Sequence, residues 1–294
     1  MTRTYRVRHR TTYRYGATMT DGYTVTCLVP RPTARQTVRS SEVVLDPSAS
    51  ETDSYLDGFG NLVHQFGLHE PHESMSVEAE SVVDVEGGCA PIDDTPWEEV
   101  VDLIGGASDD LALEVGMFRS TSAFVDLGVL GDRLRMIALA SLTPGRPVID
   151  AVRDLCHQIH VSFEFDPHFS NVSTPLADVL DARRGVCQDF AHLAVGCLRS
   201  VGLAARYVSG YIETVPPPGA ERLVGADASH AWCSVWTPLA GWVDFDPTND
   251  HLPVDDHVTV AWGRDYADVI PVRGVMIGPS TSQTLDVSVD VQRG

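Results

Sequence analysis

Three residues in the second half of this 294-residue chain, Cys187, His230 and Asp246, are of the types that covalent acyl transfer uses. Cys187 stands in Arg183-Arg-Gly-Val-Cys-Gln-Asp-Phe-Ala-His192, just after a turn signalled by Gly185. Behind it Phe190, Leu193, Ala194, Cys197, Leu198 and Val201 recur at three- and four-residue spacing. That spacing predicts a helix over 187–201, stopped by Gly202, with the thiol in its first turn. There the thiol meets unpaired backbone N–H groups and the positive end of the helix dipole. Both favour thiolate, as would Arg183 and Arg184 nearby. Taken alone, the segment also suits a small core cysteine.

A cysteine nucleophile needs a base and a group to orient that base. The stretch Ser229-His-Ala-Trp-Cys-Ser-Val-Trp236, a turn at Thr237-Pro-Leu239, and Ala240-Gly-Trp-Val-Asp-Phe-Asp246 reads as a β-hairpin. Pairing Trp236 with Ala240 places His230 opposite Asp246, Trp232 opposite Asp244, and Ser234 opposite Trp242. Cross-strand partners have Cβ atoms about 5 Å apart, within reach of an imidazole–carboxylate hydrogen bond. A slip of one residue would put the pair on opposite faces, and a bulge at Gly241 would change the register. Asp244 shares the strand face with Asp246 and ranks second as orienter.

Other residues of chemical interest have plainer readings. His192, five positions after Cys187, is expected to support packing. Cys197 and Cys233 read as core thiols. Cys156, His157 and His160 offer ligand types on one helix, but a partly exposed polar face is the simpler reading, and no Cys-x-x-Cys pair signals structural zinc. No metal or cofactor is expected. The Cys187 N–H is the expected first oxyanion donor; the second, and the direction of Gln188, are not readable.

Several elements must position these residues. Period-two segments at 4–15, 22–29, 41–46, 62–68 and 75–85 predict strands. Short helices are predicted at 97–104, 109–117 and 131–141, and a longer one at 146–160. An irregular stretch over 161–181 ends in a short helix after Pro175. A strand over 205–211, an exposed loop at Pro216–Gly219, and a last strand at 284–291 complete the pattern. The implied organisation is a β domain over 1–90, a helical connector over 91–145, an α+β core over 146–252 and an extension over 253–294.

Charge limits the partners. The net charge is −20; residues 1–40 hold eight arginines against one acid, and the remainder holds 13 basic against 40 acidic residues. Most of the chain would repel nucleic acid and anionic membranes, so neither is an expected partner. Arg6, Arg8 and Arg10 alternate with Val7 and His9, which describes a strand with a solvated face. Six scattered cysteines, no signal-type apolar segment at the start and no membrane-length run make cytoplasmic location the expectation.

Taken together, Gly185-Val-Cys-Gln-Asp-Phe-Ala-His192, Ala205-Arg-Tyr-Val-Ser-Gly-Tyr211, Ser229-His-Ala-Trp232 and Gly241-Trp-Val-Asp-Phe-Asp-Pro-Thr-Asn249 resemble the transglutaminase-like superfamily. Asp57-Gly-Phe-Gly-Asn61 with Pro71-His72, and Gly263-Arg-Asp-Tyr266, resemble the N-terminal β domain and post-core segment of its bacterial members. The resemblance implies an N-terminal β-sandwich-like domain followed by a papain-like core, with Cys187 as nucleophile, His230 as base and Asp246 as orienter. It implies acyl transfer through a thioester; cleavage of peptide or protein amides by a peptidase or amidase is the leading expectation, with transamidation and a non-catalytic binding role as alternatives. The chain contains no lysine, so a transamidase of this sequence would need an acceptor other than its own lysine amines.

Overall fold

The computed structural model describes residues 1–213, 229–279 and 282–294; the loop expected at Pro216–Gly219 lies outside them. Six strands come first: β1 (Thr2–Met19), β2 (Asp21–Thr26), β3 (Gln36–Asp46), β4 (Glu51–Leu56), β5 (Leu62–Leu68) and β6 (His72–Glu86). β1, β2 and β6 carry the alternation read from sequence along most of their length, whereas β5 buries Val63 and Phe66 alike. Every residue of β4 is exposed, so no buried face writes a period into its sequence, and it is held by pairing with β5.

Helices α1 (Trp97–Gly105), α2 (Asp109–Gly116), α3 (Leu127–Ser141) and α4 (Val148–Ser162) follow, then β7 (Glu164–Phe165), α5 (Leu176–Ala182), β8 (Arg184–Gly185) and α6 (Cys187–Ser200). The chain closes with β9 (Ala205–Ile212), β10 (Ser229–Thr237), β11 (Gly241–Phe245), β12 (His257–Gly263), β13 (Val272–Ile277) and β14 (Gln283–Arg293).

Two four-stranded sheets, ordered β14-β1-β6-β3 and β13-β2-β5-β4, form the β domain. Tyr15, Leu45, Met75 and Val77 of the first sheet share one apolar cluster with Phe66 and Leu68 of the second. A third sheet, ordered β11-β10-β9-β12, belongs to the core. The segment after 252 is therefore no separate extension. Its first strand, β12, completes the core sheet, and its last two close the two N-terminal sheets. Such partners lie too far apart in sequence for local pattern to reveal.

The core is built around α6, whose residues from Gln188 to Arg199 are all buried. Leu193, Cys197 and Leu198 share a cluster with Cys233, Val235 and Phe245 of the sheet and with Leu134, Val152 and Leu155 of α3 and α4. A helix buried all round needs small and apolar residues on every side, which Ala191, Ala194 and Gly196 supply. Asp189 and Arg199 are the charged exceptions; the Arg199 guanidinium donates to the carbonyls of Ala205, Ser120 and Arg264.

A second cluster joins the two halves. Tyr5, Val7, Val83, Val85, Val289 and Val291 of the first sheet pack on Tyr207, Tyr211, Ala231, Val258 and Val260 of the core sheet. Each such side chain, fully buried, contributes about 1.5–3 kcal/mol. The β domain and the core are thus welded rather than tethered.

Candidate active site

Cys187 opens α6, after Val186 in an extended conformation. Valine has no side-chain acceptor, so the start is held from within: the Asp189 carboxylate accepts the Val186 N–H at 2.9 Å and the Ser170 hydroxyl. Burial raises the Asp189 pKa, while these two donors pull it down. The fold of Asp189 back over the turn explains Gly185, where a Cβ would lie 2.7 Å from the Asp189 carboxylate. Cys187 is partly exposed and Cys89 exposed, whereas Cys27, Cys156, Cys197 and Cys233 are buried.

Gln188 turns its amide to the Val172 carbonyl at 3.3 Å. Arg184 lies 3.5 Å from Asp166 and over the Phe169 ring, and Arg183 is the left-handed cap of α5. Neither arginine has a described contact with the thiol, so the expected thiolate support reduces to the helix start and the imidazole. The leading N–H groups of a helix have no intrahelical acceptor, which leaves the Cys187 N–H suited to an oxyanion.

His230 begins the buried run of β10. Its Nε2 is 2.7 Å from Asp246 Oδ2, and the Cys187 thiol lies near enough to act on the same ring. With Nε2 taken by Asp246, Nδ1 is the nitrogen left for the thiol. Burial alone would lower the His230 pKa; Asp246 and Cys187 outweigh it and push it up to about 10.

Asp246 has no exposed surface. Its Oδ1 accepts the N–H groups of Thr248 and Asn249 at 2.9 and 3.1 Å, an Asx turn seeded by Asp-Pro-Thr-Asn. Its Oδ2 accepts from His230, from Asn249 Nδ2 at 2.7 Å and from His257 Nε2 at 3.0 Å. Burial would raise its pKa, but the two imidazoles hold it well below the usual carboxylate range.

The hairpin register differs from expectation by two residues. Thr237 pairs with Gly241, Trp236 with Trp242 and Ser234 with Asp244. Gly241 adopts a positive φ of 67° and itself closes the turn, so the three-residue loop is 238–240, one position later than expected, and the register moves by two. A shift of two preserves the face. His230 and Asp246 therefore meet as diagonal neighbours, with Asp246 just beyond the end of β11. Asp244 faces Ser234 instead of Trp232, with no hydrogen bond or ion pair among the described residues.

His192 is buried, accepts the Tyr266 N–H at 3.1 Å and stacks on Phe124 at 5.2 Å. Burial lowers its pKa to about 4, so the neutral ring anchors the Gly263–Tyr266 segment. Burial pushes the Cys197 thiol up, and the Cys233 thiol points to the Phe245 carbonyl. His157 bonds Asp250 at 2.8 Å and His160 the Thr248 carbonyl at 2.9 Å, so α4 braces the turn that carries Asn249. Asn249 and His257 are the site residues that sequence reading missed. Asn249 is signalled only by its place three residues after Asp246. His257 arrives on β12, whose pairing is not local.

A cavity of about 830 Å³ lies behind the site, between the β domain and the core sheet. Phe59, Phe118, Trp242, Trp262, Arg206 and His257 line part of it, and Cys187 and His230 do not. Arg206 lies 3.6 Å from the centre of the Trp262 ring and 4.4 Å from that of Trp242.

Comparison with known proteins agrees with this architecture. Residues 5–84 match the model of the bacterial transglutaminase-like N-terminal region, and residues 137–247 that of the transglutaminase-like superfamily. An uncharacterized protein of Mycobacterium tuberculosis is 40% identical over 99% of this chain and 93% of its own length. A protein-glutamine gamma-glutamyltransferase of Pseudomonas aeruginosa is 37% identical over 76 residues, 26% of this chain and 11% of that protein. A crystal structure from Cytophaga hutchinsonii, described as that of a candidate cysteine protease, superposes with a TM-score of 0.78 over 100% of this chain and 91% of that one, at 19% identity, a likeness of fold. With its strand-rich first domain, its helix-capped cysteine core and a near full-length relative, this chain belongs to the transglutaminase-like superfamily.

Proposed function

We propose that this chain is a cysteine-dependent acyl-transfer enzyme that cleaves peptide or protein amides through a thioester, acting foremost as a peptidase or amidase. The observation that carries the reading is the convergence of three groups: the partly exposed Cys187 thiol near the His230 ring, and the fully buried Asp246 carboxylate 2.7 Å from His230 Nε2.

The roles follow from the geometry. Cys187 Sγ, as thiolate, attacks the amide carbon, and the developing oxyanion is stabilised by the Cys187 N–H at the helix start. His230, charged, gives its proton to the leaving amine as the C–N bond breaks. Asp246 keeps the ring aligned and stabilises its charge. Water then enters, loses a proton to His230 and attacks the thioester. The acid product leaves, and the Cys187 thiolate and the charged His230 are restored.

Transamidation is the second reading, favoured by the short match to the glutamyltransferase. There an amine takes the place of water. The test is incubation of the full chain with a peptide library, with and without a primary amine, read by product mass. Hydrolysed peptides in both arms support the amidase. Amine adducts in the second arm alone assign the transferase. No change in either arm, with wild type and C187A alike, would overturn catalysis and favour a binding role.

A further inference from the structure

The hydrogen bonding does not end at Asp246. His257 Nε2 reaches Asp246 Oδ2 at 3.0 Å, and its Nδ1 reaches Asp256 Oδ1 at 2.8 Å. The other oxygen of Asp256 is 3.1 Å from His251 Nε2. Imidazoles and carboxylates thus alternate from the thiol to a partly exposed edge: Cys187, His230, Asp246, His257, Asp256, His251.

An uncharged imidazole has one N–H and one lone pair. With carboxylate oxygens at both nitrogens, a neutral His257 would set its lone pair against one of them. The ring that satisfies both contacts donates from both nitrogens, which makes it the imidazolium. Burial would raise the Asp256 pKa, but His251 and His257 hold it well below the usual range, so it remains the acceptor.

We propose that His257 is a positioning residue of this site, held as a cation between Asp246 and Asp256, where it fixes the Asp246 carboxylate and shares its charge with His230. The inference rests on the acyl-transfer reading for its purpose and on the hydrogen-bond geometry for its charge. The groups facing His257 are Asp246 from the turn after β11, Asp256 and His251 from the segment before β12, and His230 and Trp232 from β10, with ring centres at 5.6 and 4.9 Å for the last two. Two cationic rings sharing one carboxylate disfavour each other. Removing the charge from His257 therefore makes His230 hold its proton more tightly.

The test uses the full chain with ¹⁵N-labelled histidine, together with the rate at which iodoacetate alkylates Cys187 at neutral pH. In the wild type both His257 nitrogens are expected to carry protons. D256N converts His257 to a neutral ring with one unprotonated nitrogen, keeps the alkylation rate within about threefold, and moves the His230 titration upward by about one unit. H257L lowers alkylation about tenfold, and H257Q, which retains one donor toward Asp246, recovers most of that loss. A purely structural role would leave the His230 titration in place in D256N. A wild-type His257 with one bare nitrogen, or H257L alkylating within twofold of wild type, would overturn the proposal. Neither readout needs amide turnover. Inactivity of the wild type toward every amide, with these shifts observed, would count against the acyl-transfer reading alone.

Discussion

His230 and Asp246 are not cross-strand partners, yet His230 Nε2 stands 2.7 Å from Asp246 Oδ2. The β10–β11 register would carry His230 past the end of β11, and the Asx turn at 246–249 brings the carboxylate back to meet it. The contact belongs to a turn held by Asp246 itself, Asn249 and the α4 histidines, which fixes the carboxylate more tightly than a strand partner would.

The first expected consequence concerns thiol selectivity. Cys89 is more exposed than Cys187 but sits outside the site. Iodoacetamide at mildly acidic pH should label Cys187 and spare Cys89, with both labelled at alkaline pH. Peptide mass mapping distinguishes the two; equal labelling at acidic pH would contradict activation of Cys187.

Asp246→Asn removes the charge that holds the His230 proton. His230 is raised from 6.5 to about 10, so its contribution to stability is complete below pH 6.5 and is lost as pH rises through about 10. Asp246 is depressed from 3.8, so its contribution is present above that value and is lost only as pH falls well below it. These describe one ion pair seen from both ends. The substitution should cost about 3 kcal/mol at neutral pH, lower turnover at least about 100-fold, and move the alkaline limb of the activity profile toward neutrality. Urea melts and pH–rate profiles supply the measurements.

How much of this was visible in the amino acids depends on where the partners lie. Parity survived the register error: a glycine at positive φ moved the hairpin by two positions, and two positions leave His230 and Asp246 on one face. Cys187 was legible because a helix start is local, and Gly185 announced it. His257 was not, because β12 pairs with β9 across more than forty residues. β4 was missed because a strand exposed throughout has no alternation to display. The last two strands were mistaken for an appendage because their partners stand at the opposite end of the sequence.

Gly185→Ala is expected to disturb Cys187 without touching it. The added Cβ would lie 2.7 Å from the Asp189 carboxylate that caps α6. The overlap should cost about 1–3 kcal/mol and slow Cys187 alkylation, measured by thermal unfolding and by labelling rate. An unaltered variant would mean that the Asp189 cap is dispensable.

Arg206 is buried between two tryptophans, its guanidinium makes no hydrogen bond among the described residues, and its pKa is lowered to about 9 by burial. R206M loses the charge–ring attraction but no longer buries an unpaired charge, so its stability should stay within about 1 kcal/mol of wild type. R206A leaves a void between the rings and should cost about 2–4 kcal/mol. Urea midpoints of the two variants separate packing from charge.

A fragment of residues 146–294 should not fold as a monomer. It exposes Tyr207, Tyr211, Val258 and Val260, and leaves β13 and β14 without β2 and β1. Light scattering and circular dichroism should show aggregation or an unfolded chain, and a cooperative monomer would disprove the dependence.

The closing of both N-terminal sheets by β13 and β14 also fixes an order of events at the ribosome. Most of the β domain precedes the core in the chain, yet one outer strand of each of its sheets is formed by residues 272–277 and 283–293. While the core emerges, β1 and β2 present open edges with nothing to pair with. The core around Cys187 and the β domain must therefore mature together, only after residues 272–293 have emerged, so a nascent chain halted before residue 272 would carry Cys187 on an unfinished scaffold.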